Sequence, residues 1–429
     1  MYDLIVIGGG AAGFYGAIHV AETRPDMKVL ILEQGKQVLG KVKVSGGGRC
    51  NVTHAQFNPA LLVQAYPRGE KELRGPFNSY NPQHTVDFFN NRGIELKVED
   101  DGRMFPVSNS SQTIIDCFME AVSSSAIELK RNSGVVDVYS PESNSTESRF
   151  WEVKTKLQSY RTKNLLIASG SGTKMWNILK RIGHNIIDPV PSLFTFNIKD
   201  PRIDGIPGVS VNARVELLSR DLVGKGVSGT IKTRSRKSEH LVTEGPLLIT
   251  HWGMSGPAIL KLSSRGARIL NEYNYRFRIR VNWMPEYHQQ GMYSFLMEVK
   301  NIEAKKTAYR TCPVEIPRRL WGKLVIAAGI SQEQKWADLS KKQLQQLAAQ
   351  LTSSEFLVDG KSTFKEEFVT AGGVDLKEID FKTFGSKIHE GLYFAGEVLN
   401  IDALTGGYNF QSAWSGAYLA ARAISESNT

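Results

Sequence analysis

The chain has 429 residues, 41% hydrophobic and 22% charged, a composition that excludes disordered and fibrous classes and a length that suits about two to three domains. Its formal net charge is +10, but residues 201–350 hold 24 basic against 12 acidic side chains and the rest 29 against 31, so the basicity belongs to the middle of the chain. No apolar run reaches the ~18 residues that cross a bilayer, no basic segment precedes an apolar one at the start, and Cys50, Cys117 and Cys312 form no C-x-x-C pair; no membrane, secretory leader, disulfide framework or metal site is expected, and a reducing cytoplasm is the default.

Residues 4–7 are a short apolar run that ends at Gly8-Gly9-Gly10. A helix is predicted over 11–22, broken by Pro25-Asp26, and 29–32 is a second apolar strand ending at Glu33. Fully apolar strands joined by a helix predict a parallel sheet covered on both faces. Residues 40–51, rich in glycine and cations, predict a loop, and 80–133 predict amphipathic helices separated by turns. An antiparallel meander is predicted over 134–168, with a hairpin tip at 140–149, and it opens on Ser169-Gly170-Ser171-Gly172. Beyond Pro189, residues 192–284 read as β-rich and 286–352 as helical; 370–373, 391–396 and a helix over 409–425 return to the opening texture. The expected organisation is an α/β domain over 1–189 and 370–429. It is split by a β-rich domain over 190–284, with a return strand over 353–369, which carries a helical insertion over 285–352.

Gly8-x-Gly10-x-x-Gly13 lies between a predicted strand and a predicted helix, with Glu33 twenty residues further on. That context is the dinucleotide fingerprint: a tight turn, close backbone approach to a diphosphate, and helix-on-strand packing. The helix start offers unpaired N–H donors to phosphate, and a carboxylate at Glu33 would accept from a ribose and repel a 2′-phosphate. The fingerprint alone does not separate NAD from FAD. Ser45-Gly46-Gly47-Gly48-Arg49-Cys50-Asn51, flanked by Lys41 and Lys43, reads as an anion-binding concavity or as a solvated loop. Near the end, 392–397 is an apolar strand closing on Gly396-Glu397, and Gly406-Gly407-Tyr408-Asn409 opens a final helix.

These motifs resemble those of the FAD-binding flavoproteins grouped with the aminoacetone oxidases and the bile-acid-pathway flavin reductases, the NAD(FAD)-utilizing dehydrogenase type. The matching stretches are 3–13, 45–53, 102–106, Thr250-His251-Trp252-Gly253-Met254-Ser255-Gly256-Pro257, 369–374 and 391–411, and they span the chain. The resemblance implies a Rossmann-like FAD-binding domain split by a β-barrel-like domain carrying a helical insertion. Carried over by position, Gly8, Gly10, Ala11, Ala12 and Gly13 would hold the diphosphate of a non-covalent FAD, and Glu33 with Gln34 the adenosine ribose. Lys41, Gly46, Gly47, Gly48, Arg49 and Asn51 would line the cofactor from the other side. Val135 would offer backbone to the adenine, and Ser169 and Gly170 a further contact. Gly396 and Glu397 would meet the ribityl chain, and Gly407, Tyr408, Asn409 and Phe410 the flavin ring. The sequence departs from the usual pattern at Met104, Asn400 and Ala403, and keeps Asp402.

Toward substrate, His251 is the candidate acid/base, since an imidazole titrates near neutrality, or a histidine bracing a turn. Tyr408 could donate to substrate or stack on the ring, and Trp252 and Trp283 are expected in the core. The reading is an FAD-dependent oxidoreductase that passes hydride between flavin N5 and a small organic substrate, which the basic insertion suggests is anionic. NAD(P)H as transient donor, or oxygen, would be the second redox partner. The alternative is a basic nucleic-acid-associated flavoprotein that binds or modifies RNA. Lys232, Arg234, Arg236 and Lys237 would sit in a hairpin, and Arg276, Arg278 and Arg280 on one strand face. No recognisable nucleic-acid module accompanies them, so nucleic acid is the less favoured partner. Oligomeric state is not legible.

Overall fold

In the computed structural model, which describes residues 1–141, 150–218, 241–362 and 369–427, strand β1 (Tyr2–Ile7) lies inside a parallel sheet. Its last four residues are buried and it runs straight into the helix α1 (Ala11–Thr23), followed by β2 (Val29–Leu32). Next come α2 (Gly40–Gly48), β3 (Ile127–Lys130), β4 (Ser159–Ile167), β5 (Leu392–Phe394) and α3 (Tyr408–Glu426). The parallel order is β3-β2-β1-β4-β5, and the strand pair 379–380 and 385–386 extends the β5 edge antiparallel. Residues 1–191 and 365–429 form one compact unit and 192–364 a second.

The first unit is a Rossmann-like layer structure. Phe14, Tyr15 and Ile18 bury one side of α1 against the sheet and α3, where Trp414 is fully buried. Phe14, Tyr15, Phe88, Phe118 and Trp414 form one aromatic cluster. The predicted meander is present as Val135–Tyr139, Trp151–Thr155 and β4, paired antiparallel in that order, while β4 also runs parallel to β1 and β5. Most of its tip lies outside the described residues.

Two expectations need correction. Residues 40–48 are not a plain loop: α2 begins at Gly40, and helical geometry is left only from Ser45 through Gly48. Buried Leu39 and Val42 anchor it, a pair too few to give a periodic signal. Within 80–133, helices Pro82–Asn90 and Ser111–Ser123 are joined by strands Leu96–Val98 and Arg103–Pro106, which pair with each other, and Arg103–Pro106 pairs on its other side with Thr53–His54.

The second unit is an antiparallel sheet of seven strands in the order 354–359, 276–282, 210–217, 242–249, 253–255, 195–197, 361–362. No strand pairing closes the ring among the described residues. The two terminal strands are instead consecutive in the chain across Gly360, whose carbonyl accepts from Asn197 and whose N–H donates to Tyr275. Helices Gln289–Ile302, Arg318–Ala327 and Lys341–Thr352 supply Leu296, Trp321 and Leu347 to a core shared with Phe196, Val215 and Ile279.

Candidate functional site

Register places the first unit's motifs together. Ile7 pairs with Leu32 and Ile167, Ile167 with Phe394, and Leu32 with Lys130, so five parallel strands end level with one another. The segments that follow those ends are Gly8–Gly10, Glu33-Gln34, Ser169-Gly170, Ala395–Glu397 and 131–135. The carboxyl edge of such a sheet is where ligands of open α/β folds bind.

At that edge Gly8 has φ +117°, and a Cβ there would lie 2.4 Å from the Ala168 carbonyl oxygen; one on Gly13 would lie 2.0 Å from the Gly8 oxygen. Turn, helix and β4 therefore pack backbone to backbone. The first helical bond of α1 runs from the Phe14 N–H to the Gly10 oxygen, and Gly10 caps with no side chain. The N–H groups of Ala11, Ala12 and Gly13 thus leave the helix start without a capping side chain, at its positive dipole end. The Glu33 carboxylate accepts from the N–H groups of Gly9 (2.8 Å) and Gly35 (2.7 Å), which fixes its position and leaves lone pairs for a further donor. Ser133 N–H donates to the Glu33 carbonyl, and Gly134 packs on Gln34, which brings buried Val135 beside them. Gly396 packs on Ala12, Gly170 lies 3.9 Å from a Glu397 oxygen at its Cβ position, and Lys41 pairs with Glu397.

The glycine loop of α2 is braced from beneath. Arg49 pairs with Glu99 (2.5 Å) and stacks on Phe105 (3.9 Å to the ring centre), so its charge is already met by protein. The Asn51 amide lies between the Thr53 carbonyl (3.0 Å) and the Gly407 N–H (2.9 Å) and satisfies both. Cys50 is fully buried beside it, and burial pushes its thiol up to about 12.

At the start of α3, the Tyr408 ring stacks on His54 (4.5 Å, 19°), and the Tyr66 hydroxyl donates to the Tyr408 carbonyl. Burial, with Asp101 nearby, pushes the Tyr408 hydroxyl up to about 12, so it remains a proton-bearing donor at neutral pH. Burial lowers the His54 imidazole. Asn409 holds the Ala403 N–H, and Phe410 stacks on Trp414. Sequence reasoning missed His54, the buried Arg68–Asp402 pair, and Gln411, whose amide oxygen accepts from the Thr53 and Thr85 hydroxyls. Nothing in local sequence links partners more than 300 residues apart.

The residues fit FAD. Beyond the uncapped α1 start, nothing stands within 4 Å of the Cβ positions of Gly10, Gly47 and Gly48, and the buried Ser169 hydroxyl has no partner among the described residues. Open backbone with unclaimed donors is the chemistry a diphosphate needs.

The second unit holds the remaining predicted residues. His251 and Trp252 occupy the corners of the turn closed by Thr250 N–H to the Gly253 carbonyl (2.9 Å), and both are exposed. Trp283 is in the core as expected, but Trp252 is not: it is 37% exposed, because a two-residue turn between strands projects its side chains away from the sheet. Arg276, Arg278 and Arg280 do share one strand face. Arg276 pairs with Asp359 (2.9 Å), and Arg280 with Glu216 (3.3 Å) and Glu355 (3.2 Å), so that face is largely self-neutralised. Lys232, Arg234, Arg236 and Lys237 lie outside the described residues. No helix among the described residues is long and apolar enough to cross a membrane.

Over 435 residues the chain is 27% identical to a ribosomal RNA dihydrouridine synthase of Escherichia coli (strain K12), covering 98% of this chain and 97% of that protein. It is 26% identical over 438 residues to a 3-dehydro-bile acid delta(4,6)-reductase of Clostridium scindens, covering 98% of both. Among solved structures, 3-ketosteroid delta1-dehydrogenase from Sterolibacterium denitrificans aligns over 99% of both chains, with a TM-score of 0.50 and 13% identity, a likeness of fold. The model of the HI0933-like protein Rossmann domain matches residues 2–423. The chain therefore belongs to the HI0933-like Rossmann family of FAD-binding oxidoreductases.

Proposed function

We propose that the protein adds hydrogen across a carbon–carbon double bond conjugated to a carbonyl in a flat organic ring, with NAD(P)H as the ultimate hydride donor. The observation that carries the flavin half of this reading is the level carboxyl edge, where the α1 start, Glu33, Ser169 and Glu397 converge. The substrate half is supported by two relatives' names. A dihydrouridine synthase saturates the uracil double bond and a delta(4,6)-reductase a dienone, and in both the reacting bond is conjugated to a carbonyl.

When bound, FAD would supply the hydride chemistry, for addition at the carbon β to the carbonyl. The N–H groups of Ala11, Ala12 and Gly13 would hold its diphosphate, Glu33 its adenosine ribose, and Asn51 with Gly407 would keep the α3 start in place beside the ring. The Tyr408 hydroxyl, which stays protonated, would donate to the substrate carbonyl, and the α carbon would take its proton from solvent. Hydride and proton together make the two hydrogens gained, and NAD(P)H is oxidised in exchange.

A second reading has one observation in its favour: the basic excess of residues 201–350, which suits a ring carried on RNA. The test serves both. Purified protein should be yellow and bleach anaerobically with NADH or NADPH. The bleached protein should recover colour on adding either a uridine-containing RNA or a 3-oxo-4-ene steroid, with two hydrogens gained by the acceptor. Colourless protein that fails to bind added FAD would refute the flavin reading. Recovery by oxygen alone would refute the reductase reading.

A further inference from the structure

The short strand Thr53–His54 carries a side chain to which the cofactor gives no task. His54 pairs in register with Arg103, and its imidazole is fixed by the turn that precedes that residue. Its Nε2 lies 3.1 Å from the Asp101 carbonyl, so the Nε2–H donates there and Nδ1 carries the lone pair. Gly102, at φ +82°, presses on the ring: a Cβ there would come within 2.5 Å of the imidazole Cε1. Arg103 in turn holds the Asp101 carboxylate (2.7 Å), which steadies the turn that offers the carbonyl.

Tyr408 stacks on this fixed imidazole, with ring centres 4.5 Å apart and planes 19° apart. A Cβ on Gly406, at φ +137°, would lie 2.8 Å from the Tyr408 ring and 3.5 Å from the His54 Cδ2, so only glycine can close around the stack. Tyr66 meets the Tyr408 ring edge to face (6.2 Å, 74°), and its hydroxyl holds the Tyr408 carbonyl at 2.6 Å. The hydroxyl of Tyr408 itself is left open. Those of Tyr15, Tyr66 and Tyr80 each bond to protein. That of Tyr408 has no partner among the described residues and is not sealed from solvent, whereas the His54 Nδ1 is both unpartnered and sealed. A ring held so firmly around a hydroxyl that the protein does not use has the form of a preorganised donor.

We propose that His54 is a positioning residue, whose ring face fixes the angle at which the Tyr408 hydroxyl meets the substrate carbonyl. The inference rests on the function proposed above, in which Tyr408 donates to that carbonyl. Negative charge gathers on the carbonyl oxygen only as hydride adds, so a misdirected hydroxyl costs turnover more than it costs binding. The sealed Nδ1 takes no part in this. The flat face of the imidazole is what Tyr408 uses, and the Nε2 bond to Asp101 stops that face from turning.

The test uses holoprotein bleached anaerobically with NADH or NADPH, then reoxidised with a uridine-containing RNA or with a 3-oxo-4-ene steroid while the flavin band is followed. With the acceptor that restores colour, His54→Ala should slow reoxidation about tenfold or more. The dissociation constant of that acceptor for the oxidised holoprotein should rise less than about threefold, and FAD content should stay at the wild-type level. His54→Phe, which keeps a flat face, should recover most of the rate. A Tyr408→Phe background should itself be about tenfold to a hundredfold slow, and there His54→Ala should cost nothing further, because it acts through the missing hydroxyl. If His54→Ala sheds flavin, His54→Leu, which fills the space without a flat face, takes its place. A wild-type rate in the variant without the flat face would overturn the inference and leave the reductase reading standing. So would an equal loss with and without the Tyr408 hydroxyl, or a His54→Phe variant as slow as the alanine one. If neither acceptor restores colour to the wild-type protein, the reductase reading falls and this inference falls with it.

Discussion

At the scale of single residues, the cofactor edge depends on contacts that tolerate no side chain. Gly13→Ala forces a Cβ to 2.0 Å from the Gly8 oxygen, so α1 must shift off β1. The variant should lose bound flavin and about 1–3 kcal/mol of stability, read by the visible spectrum of purified protein and by urea unfolding. Glu33→Ala removes a carboxylate that braces Gly9 and Gly35 and would accept from ribose. FAD affinity should fall about tenfold to a hundredfold, as expected for losing charge-assisted hydrogen bonds, while Glu33→Gln, which keeps an acceptor, should lose less. Unchanged affinity in the alanine variant would place the ribose elsewhere. Such positions are legible in the sequence because the constraint is local: a glycine spacing encodes a backbone approach. The Tyr408–His54 stack, the Arg68–Asp402 pair and the Gln411–Thr53 bond are not, because each becomes a contact only after the chain has folded back on itself.

At the scale of elements, periodicity found those with long apolar faces and missed those held by context. The strands β1, β2 and β4 and the helix α3 carry enough consecutive buried residues to announce themselves. The helix α2 does not. It exists because the Leu39 N–H reaches the Gly9 carbonyl and the Ser111 hydroxyl holds the Lys43 carbonyl. The short strands 53–54, 96–98 and 103–106 likewise owe their pairing to one another. The helix α1 carries a pH sensitivity of its own. His19 packs against the rings of Tyr15 (4.7 Å), Phe88 (5.1 Å) and Tyr418 (5.0 Å), its Nε2 has no partner among the described residues, and burial, with Arg92 nearby, pushes it down to about 3. The unfolded chain binds this proton from about pH 6.5 downward, whereas the folded protein does not until far lower. The stabilisation is therefore complete above about pH 6.5 and declines as pH falls below it toward 3. His184, also lowered by burial and partly opposed by Glu378, adds in the same direction. The thermal midpoint should drop between pH 6.5 and 5, and His19→Phe should make that drop shallower. A slope identical to wild type would remove His19 from the account.

At the scale of the whole molecule, the positive charge is divided unequally, and the cofactor edge does without it. The donors there are backbone N–H groups, and Arg49 and Lys41 are each paired with a carboxylate. Replacing Arg276, Arg278 and Arg280 together by glutamine should leave FAD content and affinity unchanged, measured by flavin absorbance and titration. A fall in flavin would show that the division of labour is wrong. The carboxyl edge itself has a consequence for how the protein comes into being. Its parts are numbered from Gly8 to Glu397, and the helix start beside it from Gly407, so a growing chain makes one half of the cradle long before the other. Until β5 has been synthesised and has paired with β4, the flavin has only part of its site. Capture of the vitamin-derived cofactor thus waits for β5, and it stabilises the finished fold by mass action. In a cell short of riboflavin the polypeptide would be complete in every residue and still lack its last fastening, and it should be cleared by proteases faster than the same protein made with flavin in supply.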